Sequence, residues 1–172
     1  MWSSIFHMWV AWRGRRAVVA AVGPLVERSR CRLTRIPELA WLDPYMVGFL
    51  VMLISFVAKR EVRGIDSQAL GLVQIEAWAA ITGMTSDLIG EEVLLLSISD
   101  HGEFNEGCRN AISFGEALYR STNLDLVDPF HDRHGSGDRL REALHGNAGG
   151  GLADDEVAAL WSNYFDAHVA SA

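Results

Sequence analysis

The sequence predicts an all-α protein: a compact helical bundle, orthogonal or up-down, with an Arg-rich N-terminal helical arm and a tethered C-terminal helix. Three observations carry that expectation. Apolar residues recur at spacings of three and four along most of the chain. Capping carboxylates, a proline suited to a first helical turn and terminal glycines bracket those stretches. The one run with strand-like propensity, "VLLLSIS" at 93–99, has no second strand to pair with, so it too reads as helix. With 172 residues the chain is long enough for one domain with a real core, and 49% apolar against 22% charged residues is a globular composition. Four segments are expected: a basic arm (1–35), a core bundle (36–121), a loop-rich linker holding a short helix (122–152) and a last amphipathic helix (153–172).

The arm is set apart by charge. Residues 1–35 hold seven Arg and one acid, Glu27, for a net +6, while the remainder carries −13. Such an arm can fold back on its own acidic body, bind an anionic surface, or bind the acidic face of another copy. Folding back ranks first, because it needs no partner. Trp2, Ile5, Trp9 and Trp12 fall on one helical stripe, and Arg13, Arg15 and Arg16 follow at once. Trp and Arg on a short amphipathic helix make an interfacial membrane anchor, and a helix docked on the core has the same periodicity. A second helix is expected from about 17 to 33, kinked or split at Gly23-Pro24, with Leu25, Val26, Ser29 and Leu33 along one side.

"DPYMVGFLVMLISFVAKR" (43–60) is the most apolar stretch. Asp43 is an N-cap, Pro44 suits N1, and Lys59, Arg60 and Arg63 suit the C-terminal end of the dipole, with Gly64 as the terminating residue. The uncharged part, 44–58, gives about 22 Å of helix against a hydrocarbon core of about 30 Å. The segment therefore reads as the central helix of a bundle over 44–63.

The next helix is capped by Asp66 or Ser67 and closed by Gly83, and its short connection makes it an antiparallel neighbour of the central helix. Its face is Leu70, Val73, Ala77 and Ala80. In "GEFNEGCRNAISFGEALYR" (102–120), Gly107, Ala111 and Gly115 form a small-residue stripe, expected to pack tightly against 44–63, with a contact to a second copy as the alternative. The final helix presents Val157, Leu160, Trp161, Tyr164 and His168. It packs on its own body or captures a partner.

Chemistry has few candidates. His131, His134 and Asp138 in "HDRHGSGD" are ligand types for a divalent metal, although Asp138 equally caps a short helix over 138–145 and both His suit a solvated loop. Asp100, His101 and Glu103 group at a helix start, where capping accounts for the acids. Ser136 lacks the strand and the glycine spacing of a nucleophile elbow, and no phosphate-binding glycine motif is present. Cys31 and Cys108 have no metal-like spacing and fit a reducing, cytoplasmic setting. The charge order of the first sixteen residues is the reverse of a secretory signal's. The acidic body argues against nucleic acid.

The leading expectation is thus a small non-enzymatic interaction protein that self-associates through helix faces. Its candidate partner or membrane face comprises Trp2, Trp9, Trp12, Arg13, Arg15, Arg16, Trp161 and Tyr164. The alternatives are a metal-dependent helical enzyme and a membrane-associated protein anchored by 1–16 or 44–58.

Overall fold

The computed structural model describes residues 2–84, 89–124 and 151–171. Within them the regular structure is helical throughout: α1 Trp2–Leu33, α2 Glu38–Leu42, α3 Pro44–Glu61, α4 Ser67–Thr82, α5 Ile89–Ile98, α6 Gly102–Leu124, α7 Gly151–Trp161, a π-helical turn Ser162–Asp166, and α8 Ala167–Ser171. The helices pack on one another around a common core, as the all-α expectation requires.

α3 is the axis of that core. Asp43 Oδ1 accepts from the backbone N–H groups of Tyr45 (3.0 Å) and Met46 (3.2 Å), and Pro44 occupies the first turn, as the sequence predicts. Both ends of its apolar run are buried, from Tyr45 to Ala58. Among the described residues, no helix is long and apolar enough to cross a membrane. The helix stops at Glu61, two residues short of expectation. Gly64 takes its left-handed conformation (φ +74°) in the following turn and does not close the helix.

α6 runs parallel to α3 along the predicted small-residue stripe. A Cβ on Gly107 would collide with the Tyr45 carbonyl oxygen, and one on Gly48 with that of Phe104. At Gly115 it would lie 2.6 Å from the Phe56 ring. Glycine on both partners lets the two backbones touch, which is why this is the most intimate pair among the described helices. The Tyr119 hydroxyl donates to Glu61 Oε1 (2.7 Å) at the far end.

α4 returns antiparallel to α3, capped by Asp66, whose Oδ1 accepts from Ala69 N–H (2.8 Å), and ended by Gly83 at φ +78°. Its inner face is Ala69, Val73, Ala77, Trp78 and Ile81; Leu72, Ile75 and Ala80 face outward.

α1 differs from expectation in being one helix of 32 residues, unbroken at Gly23-Pro24. Glycine before proline has no Cβ to clash with the ring, and the apolar stripe Val18, Ala21, Val22, Leu25 and Val26 is buried continuously across that point. The arm folds back on the body. It lies parallel to α4, with His7 Nε2 3.0 Å from Asp66 Oδ2, Gly14 against Val73, and Arg15 beside Glu76. At the other end Arg30 Nη2 donates to the carbonyls of Ile81 (2.8 Å) and Thr82 (3.3 Å). It thereby supplies the cation that α4 lacks in its own last turn.

Candidate functional site

Three places hold the side chains of interest: the outer face of α1, the seam where the C-terminal segment meets α1, α3 and α6, and the start of α3.

On α1 the inner stripe described above leaves Met8, Trp9, Trp12, Arg13 and Arg16 on the opposite side, which follows from 3.6-residue periodicity. Trp9 and Trp12 are 50% and 51% exposed. Arg13 lies over the Trp9 ring (4.9 Å to the centroid) and Arg16 over that of Trp12 (5.7 Å). Each pair is i,i+4, so helix geometry alone brings it together. Arg15 points toward α4 instead, 4.0 Å from Glu76. Of the expected face, then, Trp9, Trp12, Arg13 and Arg16 form one basic aromatic patch. Trp2 lies in the first turn of α1.

Trp161 belongs elsewhere, which corrects its assignment to a partner face. It is 2% exposed, stacked on Phe165 (4.5 Å) and against Phe114 (5.2 Å) and Phe49 (5.9 Å). Tyr164 is half-buried, near Phe49. The amphipathic face of this helix is occupied by its own chain. The physical reason is size: Phe49 on α3 and Phe114 on α6 offer more apolar contact than water, each ring pair adding about 0.5–1.5 kcal/mol beyond area burial.

The seam also holds a polar cluster that sequence reasoning missed. Ser29 of α1, fully buried, accepts from the Trp161 indole N–H (2.8 Å) and donates to Asp166 Oδ1 (2.5 Å). The second Asp166 oxygen pairs with Arg32. A π turn makes this arrangement feasible. Its i→i+5 pattern brings Trp161 and Asp166, five apart, onto one side, whereas an ordinary α-helix would send Asp166 away from Trp161. Ser29 stands on the apolar side of its helix by sequence, the one signal of a buried hydroxyl, but nothing announced Asp166 as its partner, because the π turn has no signature in the sequence. Ser29 is fully buried and bonded on both sides, so the cluster ties α1 to the C-terminal segment.

A third group lies at the start of α3. The Tyr45 hydroxyl accepts from Asn110 Nδ2 (3.0 Å), and the His168 ring stacks on that of Tyr45 with centroids 3.5 Å apart. Burial pushes the Tyr45 phenol up, partly offset by the hydrogen bond from Asn110. Tyr119 is pushed well up by burial and by its carboxylate partner Glu61. Burial likewise raises the Cys108 thiol, whose Sγ lies 3.5 Å from the Gly48 carbonyl oxygen, whereas Cys31 is exposed. Tyr45, Tyr119 and Cys108 are held protonated at neutral pH, which suits hydrogen bonding and not nucleophilic attack.

Of the metal candidates, His131, His134 and Asp138 lie outside the described residues, as does the short helix expected over 138–145. Asp100 accepts from Asn105 Nδ2 (2.6 Å) at the α6 start, and His101 is half-buried beside it. Among the described residues no group of three or more His, Cys, Asp or Glu could hold a metal ion. Comparison with protein-family models, curated proteins and solved structures finds no match to this chain. The fold and site define a helical-bundle protein with a basic aromatic patch.

Proposed function

We propose that this is a non-enzymatic interaction protein that self-associates through helix faces, with the outer face of α1 as a binding surface. The observation that carries the reading is the patch of Met8, Trp9 and Trp12, large apolar side chains kept outside while the other face of the same helix is buried. Tryptophan and arginine together are the residue types that contribute most at protein interfaces. Because α1 also supplies core residues, deleting it would unfold the bundle, so the test uses point substitutions. Sedimentation equilibrium of the full chain should give a mass above that of one chain and rising with concentration. Trp9→Ala/Trp12→Ala should lower it with the helical circular dichroism unchanged. A wild-type chain that stays monomeric throughout a micromolar series overturns the reading.

The arginines stacked over Trp9 and Trp12 favour a second reading, a peripheral contact with an anionic membrane surface. Co-sedimentation of the full chain with anionic but not with zwitterionic vesicles, abolished by high salt, would replace self-association with that reading.

A further inference from the structure

We infer that the partner surface for the α1 patch is the outer face of α5 on a second copy of this chain; the inference rests on the self-association reading above.

α5 is apolar on both sides. Ile89, Val93 and Leu96 turn inward, the first and last of them buried. Glu91, Leu94, Leu95 and Ile98 line the opposite side, at spacings of three and four. Leu94, Leu95 and Ile98 are 59%, 65% and 74% exposed. Three neighbouring large aliphatics on one exposed helix face are not the scattered single residues normal to a surface. A helix apolar on two opposite sides is one that sits between two layers, and this chain's described residues supply one.

Charge selects the occupant. Glu91 and Glu92 stand at one end of the stripe, Asp100 and Glu103 at the other. From 64 to 108 the sequence has eight acids and neither Lys nor Arg. The α1 patch is the inverse: Met8, Trp9 and Trp12 with Arg13 and Arg16 beside them, in a segment of net +6. An aliphatic stripe edged with carboxylates matches an aromatic stripe edged with guanidiniums in both apolar character and sign of potential. Each copy carries one of each, so two copies can satisfy both faces reciprocally, which closes the assembly as a two-fold dimer.

The experiment is sedimentation equilibrium of the full chain as wild type, as Arg13→Glu/Arg16→Glu, as Glu91→Arg/Glu92→Arg, and as an equimolar mixture of the two variants. The expected result is a wild-type dimer, at least about tenfold weaker association for each variant alone, and dimers restored in the mixture, because the reversed faces are complementary again. Circular dichroism checks that each variant stays folded. If charge reversal at the α5 N-terminus unfolds that helix, Ile98→Arg at its other end takes the same role, weakening the dimer alone and restoring it in the mixture with Arg13→Glu/Arg16→Glu. A wild-type monomer overturns both this inference and the self-association reading. A wild-type oligomer that all the variants leave intact overturns this interface alone, and self-association then lies elsewhere on the molecule.

Discussion

α3 and α5 both carry large apolar side chains on opposite sides, yet one is enclosed and the other is covered along a single side. α3 has α6, α4, α1 and the C-terminal segment around it, and its apolar side chains from Tyr45 to Ala58 are almost all buried. α5 touches its neighbours through Ile89, Val93 and Leu96 and leaves three large aliphatics outside. Hydrophobicity tells a helix to be covered; the number and shape of its neighbours decide whether that happens within the chain. The difference separates a residue's contribution to stability from its contribution to assembly, and substitutions can break the two apart.

The largest effect is expected at the glycine seam that gives α3 its closest neighbour. Gly107→Val places a branched side chain against the Tyr45 backbone, which cannot yield without separating α3 from α6. A loss beyond about 4 kcal/mol, read as failure to unfold cooperatively in urea, follows from forced overpacking. Trp161→Ala removes the aromatic that closes α3 from the C-terminal side. About 3–5 kcal/mol should be lost, seen as a lower urea midpoint with an unchanged slope.

The two helices are compared most directly by one leucine from each. Leu50→Ala in α3 should cost about 2–5 kcal/mol, while Leu95→Ala in α5 should stay within about 0.5 kcal/mol in thermal melts of dilute protein. Equal costs would show that α5 is covered within its own chain.

Asp166→Ala leaves Ser29 without its acceptor inside the seam and frees Arg32. About 1–3 kcal/mol should be lost in chemical denaturation. Asp166→Asn, which keeps an acceptor for Ser29, should recover part of it.

The smallest effect is alkaline. Tyr45 and Tyr119 hold their protons more tightly folded than unfolded. In the ordinary phenol range the unfolded chain loses these protons while the folded chain keeps them, so the stability fully present below that range declines as pH rises from it toward the raised folded values. Tyr45→Phe/Tyr119→Phe should flatten that decline in denaturation midpoints measured at increasing pH.

The sequence by itself determined the helical class, the Asp43-Pro44 start of α3, the Asp66 and Gly83 caps of α4, and the α3–α6 seam. Each rests on local chemistry: a carboxylate two or three residues from the N–H it caps, a glycine free to take positive φ, a small-residue stripe at the spacing that lines one helix face. It also placed Trp9, Trp12, Arg13 and Arg16 on one surface, because i,i+4 geometry needs no tertiary partner. Tertiary structure decided what local chemistry cannot encode. Burial of its inner face from Val10 to Ser29 kept α1 continuous through Pro24. The aromatic floor of Phe49 and Phe114 drew Trp161 inward, although a periodic stripe says only that a face is apolar and not what covers it. The π turn put Asp166 beside Ser29, joining residues 137 positions apart through a backbone irregularity that is selected by the packing it permits. The exposure of Leu94, Leu95 and Ile98 is of the same kind: the run is apolar by sequence, and the arrangement of its neighbours leaves one side of it outside.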